Sequence, residues 1–402
     1  MIDNANTSAT PPRWLGAERL HALDNLRGVA MTLGISLHAA ISLMTVQFPW
    51  AARDVSAHWS FDLLCIVIHG FRMQLFFFLA GFFARLLHQR LGSVGFLKQR
   101  AVRIGVPFLA GMVLLLPLIG LVWWWGNQSE AKAQLLPAAG PAPGISAIPT
   151  AHLWFLEYLL ILYVIAALGV CFSRWLPAGL WPRVDEAFDR LMQSPLRALA
   201  LVPPIVWCLW NGPAIGEVEN AGFSIVPSLQ ALGLYGCFFT VGWWLHRRRD
   251  SLSELTQYLK SGFALAGVAL VIHLGVLVSA PNSAQSNYLT LKLLGLTCAA
   301  LYATQMTFTV TGFFLRFASQ HQPRARYLAD ASYWCYLMHL PLVAALQVLV
   351  AQWPVNGWLK FIGINAVTLA ILLATYQTLV RYTWIGRILN GSRHRPLRPS
   401  VA

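Results

Sequence analysis

Among the ionisable side chains within apolar runs of this 402-residue chain are His38, His69, Arg72, Glu157 and His339. An ionisable group at the centre of a bilayer costs about 3 kcal/mol or more unless it faces a cavity or a partner. The run Ile66-Val-Ile-His69-Gly-Phe-Arg72-Met-Gln74 places three polar residues within six positions. His69 and Arg72, three apart, share one face of a helix. Imidazole accepts protons near neutral pH, which makes His38 a candidate general base. Guanidinium stays charged, so Arg72 points to binding an anionic group or stabilising an oxyanion. Glu157 reads as a site carboxylate or as the partner of Arg72. Tyr336 and His339 are also three apart and share a polar face, although packing alone explains a tyrosine. His152, beside Trp154, suits a membrane interface. Asp24 and Asn25 suit helix caps. Arg100 and Arg103 share a face and either hold phosphates or anchor the chain at the cytoplasmic surface.

The elements that position these groups follow from composition. Only 11% of residues are charged and 57% are hydrophobic, against about 25% charged in a soluble domain. Apolar runs of roughly 20 residues predict ten transmembrane helices, near 24–45, 61–87, 104–126, 151–172, 196–211, 228–246, 262–280, 289–315, 332–352 and 358–380. The fifth is short and carries Pro203 and Pro204. Eleven residues of helix from Arg27 to His38 rise about 16 Å, which brings His38 near the midplane if Arg27 lies at the boundary. The expected architecture is an all-α, polytopic membrane protein with a short segment 1–23, a membrane domain 24–380 and a basic, disordered tail 381–402.

Charge sets the orientation. With a cytoplasmic N-terminus, 24 of the 29 Lys and Arg lie in cytoplasmic segments or at their edges, leaving Arg53, Lys132, Lys292 and Lys360 outside and Arg72 within. That asymmetry is the positive-inside pattern. It places both termini in the cytoplasm and accounts for the net charge of +14 without nucleic acid. No cleavable signal peptide is read at the N-terminus, where Asp3 and Glu18 precede the first apolar run. All six cysteines fall within predicted spans, as core packing rather than a disulfide framework. The loop 127–150 reads as a flexible Ala/Pro/Gly connector, and 173–195 as an amphipathic interfacial helix. Neither paired Cys spacing nor H-E-x-x-H is present, so no metal site is expected, and no glycine-rich phosphate loop occurs. A scattered intramembrane polar set fits either a catalytic cavity or a substrate path.

Several short motifs occur in order: Arg27 and His38 with ten residues between them; Phe76-Phe-Phe-Leu-Ala-Gly81-Phe; Arg100-x-x-Arg103-Ile-x-x-Pro107; His152-Leu-Trp-Phe-Leu; and Tyr333-x-x-Tyr336-Leu-x-His339-x-Pro341. Together they resemble the membrane acyltransferase-3 family over nearly the whole chain. Ile68-His69-Gly-Phe-Arg72-Met-Gln74-Leu-Phe-Phe and Leu33-Gly34-Ile35 before His38 are most similar to the branch that succinylates osmoregulated periplasmic glucans; Ala80 departs from the Ser of many members. The resemblance implies a multi-pass enzyme of the bacterial inner membrane. It would move an acyl group, succinyl in that branch, from cytoplasmic acyl-CoA to a glucan hydroxyl, with no permanently bound cofactor. His38 would act as base on the acceptor hydroxyl or a carrier, and Arg72 would stabilise the oxyanion or pair a succinyl carboxylate. Arg27, Arg100, Arg103, Tyr336 and His339 would serve the donor, and His69 and Glu157 would complete the cavity. The alternatives are an acyltransferase acting on lipopolysaccharide or another surface polysaccharide, and a transporter or flippase without bond chemistry.

Overall fold

A backbone in lipid can hydrogen-bond only within itself, so apolar segments become helices. The computed structural model describes residues 21–131, 148–217, 221–281, 283–320 and 322–391, and no strand occurs among them. The α-helices are α1 (His21–Ile41), α2 (Trp59–Arg100), α3 (Val106–Gln128), α4 (Trp154–Ser173), α5 (Leu180–Gln193), α6 (Val202–Leu209), α7 (Leu229–Arg247), α8 (Leu259–Val278), α9 (Tyr288–Phe317), α10 (Pro323–Val350), α11 (Gly357–Thr375) and α12 (Trp384–Asn390).

Among the described residues, six helical stretches are long and apolar enough to cross a membrane: Trp59–Gln128, Ala151–Ser173, Leu259–Val278, Tyr288–Phe317, Pro323–Val350 and Gly357–Val380. All ten expected spans fall on helix, but they do not all meet that standard. The second and third lie in one continuous 70-residue run. The first, α1, is diluted by Asp24, Asn25, Arg27 and His38, and α7 by Gln230 and His246. The fifth is only the short stretch Arg197–Leu209. Residues 1–20, 132–147 and 392–402 lie outside the described residues, and with them most of the N-terminal segment, the expected connector and the end of the tail. The start of the tail is not disordered: Trp384–Asn390 is helical.

Helix α1 lies centrally, against α2, α9, α10 and α11. Its first turn corrects the expected caps. The helix begins at His21, so Asp24 lies within it and pairs with Arg27 at 3.5 Å, while Asn25 donates to the Ala318 carbonyl at 2.9 Å. Helices α2 and α7 cross in close contact. A Cβ on Gly81 would strike the Phe239 carbonyl, and one on Gly242 the Phe78 carbonyl; small residues let membrane helices approach this closely.

Within the long run, α2 breaks at Gly92, whose φ of 67° suits glycine. It then passes through a π-helical turn, Ala101–Gly105, before Pro107 opens α3. The π turn places Arg100 and Arg103 at the junction, and such turns are frequent at functional sites. Cys65, Cys208, Cys298 and Cys335 are buried as expected, but Cys171 is exposed on the outer face of the bundle.

The expected amphipathic helix is α5. It docks on the end of α7, where Asp185 accepts from Arg247 at 2.7 Å and Asp189 pairs with Arg248 and accepts from Ser251 at 2.7 Å. Hydrogen bonds from Arg247 and Arg248 hold the Asp185 and Asp189 carboxyls below the usual carboxylate range. Carboxyls with lowered values stabilise the fold fully above their unfolded value of about 3.9 and lose that contribution as pH falls through the lower folded value. Docking of α5 should therefore be flat across about pH 5–8 and weaken only below about pH 4. At pH 8, Asp185→Asn should speed tryptic cleavage after Arg183 and Arg190 several-fold, and unchanged cleavage would show that the pair does not hold the helix.

Candidate active site

Gly34 and His38 are four residues apart, one turn of α1, and therefore share a face. Gly34 has no Cβ, and the Arg72 guanidinium from α2 occupies that space: any side chain at 34 would collide with Nη1. Arg72 is thus held against α1 one turn from His38. It is 8% exposed, and among the described residues no carboxylate lies within ion-pair distance. Its polar contact is from Nη2 to the Met73 sulfur at 3.5 Å, and its Nε has no partner. Burying an uncompensated guanidinium is costly. Glu157 does not compensate it. That residue is buried with one carboxylate oxygen unpartnered, forms no ion pair with Arg72 and does not line the cavity described below.

Three imidazoles meet beside this guanidinium. The His38 ring lies 5.0 Å from that of His339 in α10, which lies 5.3 Å from that of His152 in the turn before α4. His339 Nδ1–H donates to the Tyr336 carbonyl at 2.7 Å, and His152 Nε2–H donates to the Leu337 carbonyl at 2.9 Å. A carbonyl can only accept, so these bonds fix the neutral tautomers and leave His339 Nε2 and His152 Nδ1 with lone pairs. Both of those nitrogens are buried without partners. The Tyr336 hydroxyl donates to the His152 carbonyl. His152 is therefore not an interfacial residue; it is buried and wired to α10.

His38 itself has no hydrogen bond to either ring nitrogen among the described residues, and its Nδ1 is buried. Its ring lies parallel to Trp50, centroids 5.6 Å apart. The Trp50 indole N–H donates to Gln347 Oε1 at 2.7 Å, and Gln347 Nε2 donates to the carbonyls of His38 and Ala39 at 2.9 and 3.0 Å. These carbonyls lie in the last turn of α1, where helix acceptors run out of partners. One buried glutamine thereby ends the helix and holds the indole over the imidazole. Neither Trp50 nor Gln347 was among the residues expected from sequence. Gln347 carried a usable signal, a polar group deep in an apolar span; Trp50, in a loop, carried none.

Arg72, His38, His339, His152, Tyr336 and Trp50 face one cavity of about 1350 Å³. At one end it is lined by Arg27, Arg100 and Arg103, and at the other by Phe48, Trp50, Trp123 and Phe223. His69 is exposed, its surface opening on the cavity wall near Arg72. At the arginine end, Arg100 lies 5.4 Å over the Tyr163 ring, and the Tyr333 hydroxyl donates to the Arg103 carbonyl at 2.8 Å. His38, Arg72, His69, Tyr336, His339, Arg27, Arg100 and Arg103 thus line one space. A base with a free lone pair, a cation without an ion pair among the described residues and an arginine-lined end within one cavity can support acyl transfer to a hydroxyl.

Gln347→Leu keeps roughly the same volume, removes three hydrogen bonds and leaves two α1 carbonyls unsatisfied. The cost should be roughly 2–4 kcal/mol, visible as a thermal-unfolding midpoint several degrees lower in detergent. A midpoint equal to that of the parent protein would count against the clamp.

Comparison with known proteins agrees with this geometry. The family model described as an acyltransferase domain, Acyl_transf_3, matches residues 20–377. Glucans biosynthesis protein C of Salmonella gallinarum is 24% identical over 386 residues, covering 93% of this chain and 95% of that protein. The Escherichia coli protein of the same name is 24% identical over 404 residues, with the same coverage. No solved structure matches. With the family model spanning nearly the whole chain and an acyltransferase-compatible cavity inside its helices, the protein belongs to the acyltransferase-3 family and is a multi-pass membrane acyltransferase.

Proposed function

We propose that this enzyme transfers a succinyl group from cytoplasmic succinyl-CoA to a hydroxyl of periplasmic glucan across the bacterial inner membrane. The observation that carries the reading is the single cavity joining an arginine-lined end to an aromatic-lined end past His38 and Arg72. The positive-inside pattern puts the arginine end in the cytoplasm, where Arg100 and Arg103, with Arg27, receive the coenzyme A phosphates. The thioester then reaches the middle of the cavity, where the glucan hydroxyl arrives from the aromatic end.

His38 takes the hydroxyl proton as the oxygen attacks the thioester carbonyl. Collapse of the adduct breaks the C–S bond, and the imidazolium returns the proton to the departing coenzyme A thiolate, leaving the ester on the glucan. Among the described residues neither His38 ring nitrogen has a hydrogen bond, which leaves the imidazole available for both transfers. Arg72 has no counter-ion among the described residues. A donor with a distal carboxylate compensates it in the ground state as well as in the transition state, whereas a neutral acyl group leaves it unpaired. That asymmetry favours a dicarboxylic acyl group. His339 and His152, fixed in their tautomers, shape the wall beside the base, and Tyr336 anchors the turn that carries His152.

Two experiments test this. Membranes carrying His38→Ala should transfer label from succinyl-CoA to glucan at least a hundredfold more slowly, about 2.7 kcal/mol of barrier; an undiminished rate would remove His38 from the role. Gly34→Ala, which pushes the guanidinium off α1, should lower the succinyl rate at least tenfold while leaving transfer from acetyl-CoA much less affected. Equal loss with both donors would reject the carboxylate role of Arg72. Acceptor-dependent release of free coenzyme A by the purified protein separates the enzyme from a conduit that makes and breaks no bonds.

A further inference from the structure

The cavity's arginine-lined end is larger than the three arginines assigned above. Arg90, Arg249 and His246 also line it. Basic residues at this face are expected from the positive-inside pattern alone, but the triplet Arg247-Arg248-Arg249 does not behave uniformly. Arg247 and Arg248 are taken up by Asp185 and Asp189 of α5. Arg249 is not: its polar contact is a weak one to Gln89 Oε1 at 3.4 Å, and it turns to the cavity. Arg90 likewise forms no ion pair among the described residues. Topological anchoring does not require two cations to be neutralised and their neighbour left open to a cavity.

His246 supplies an independent sign. It is 2% exposed, lines the same cavity, and has a buried Nδ1 without a partner. Its ring rests on the edge of Phe82 at 4.8 Å, and its charged neighbours are Arg249, Arg85 and Arg90. A buried polar group with no protein partner is a place where a ligand completes the hydrogen bonding. Arg85 is itself engaged 5.2 Å over the Trp243 ring, which leaves Arg90 and Arg249 as the open charges.

This cluster is distinct from Arg100 and Arg103. Arg100 sits over Tyr163, and between that ring and Trp243 lies Phe96, with centroid separations of 5.5 and 6.5 Å. Two groups of cations without ion pairs among the described residues, one at the Tyr163 ring and one around His246 against Phe82, thus line one cavity. A ligand that satisfies both carries two phosphate groups some distance apart.

We propose that His246, Arg90 and Arg249 form a second phosphate subsite, which holds the ribose 3′-phosphate of the coenzyme A donor while Arg100 and Arg103 hold its pyrophosphate. The assignment rests on the acyl-CoA reading above. It makes the 3′-phosphate a recognition element, so the enzyme discriminates coenzyme A from its 3′-dephospho form at a place remote from the thioester. An anionic lipid headgroup offers the same phosphate chemistry, and the test separates the two sources.

Binding of coenzyme A and of 3′-dephospho-coenzyme A to the full-length protein is measured by calorimetry in nanodiscs of neutral lipid. Coenzyme A should bind about tenfold or more tightly than the dephospho form, as charge-assisted hydrogen bonds to a phosphate imply. The variant Arg90→Gln/Arg249→Gln, altered at two exposed positions, should lose that preference and bind dephospho-coenzyme A as the parent does. A preference that survives in the variant overturns the proposal, as does an equal loss for both ligands. Absence of a preference in neutral nanodiscs, with binding of anionic lipid that the variant abolishes, assigns the subsite to a headgroup and also overturns it. Failure of the acyltransfer reading shows differently, as tight coenzyme A binding without transfer to glucan.

Discussion

The structure depends on how it handles one cation, the Arg72 guanidinium. It lies within a span long enough to cross a membrane, and among the described residues no carboxylate pairs with it. A soluble protein could leave such a group at the surface, but here desolvation makes an unpaired charge expensive. The surrounding elements serve to keep that charge available: Gly34 gives it room against α1, and the same helix carries His38 one turn away. Electrostatic stabilisation is strongest where the charge is fixed beforehand and water is scarce, because nothing has to reorganise during the reaction.

Other buried polar groups in this bundle are treated in the opposite way. Lys360 donates to Asp54 at 2.7 Å and to the Ala351 carbonyl at 3.2 Å, and the same Asp54 oxygen accepts the Ser56 amide at 2.8 Å. Lys360, one of the few cations expected on the outer side, has a side chain only 2% exposed, which pins the 54–56 loop to α11. Gln347 is equally saturated, by an indole and two carbonyls. Lys360 and Gln347 are thus fully satisfied, as low-dielectric surroundings demand. Arg72, His38 and the free nitrogens of His339 and His152 are by contrast left open, and these residues face the cavity.

Much of the helical scaffold was legible beforehand because lipid allows few alternatives. A run of apolar residues long enough to span must be helix, and the predicted segments fall on helices for that reason. The polar residues were legible through the same cost, which flags His38, His69 and Arg72 whatever their role. What failed was partner choice. Asp24 and Asn25 read as caps, yet the helix starts before them. Glu157 read as a partner for Arg72, yet it lies away from the cavity. His152 read as interfacial, yet its ring is fixed by a carbonyl of α10 about 185 positions away in sequence. Apart from Asp24, whose partner Arg27 is three residues away, these errors concern residues far apart in the chain.

The sequence by itself determined that this is a membrane-embedded, all-helical chain whose buried ionisable groups must face something polar. It also carried the ordered motifs of its family, since hydropathy, spacing and burial cost are all local properties. Only the tertiary structure decided which helices share the cavity and that Gly34 makes way for Arg72. It alone also showed that Gln347 holds Trp50 over His38, and that α5 neutralises Arg247 and Arg248 while leaving Arg249 open. These are contacts between helices distant in sequence, set by close packing across glycine faces and by hydrogen bonds to carbonyls that every residue carries alike, and neither leaves a local trace.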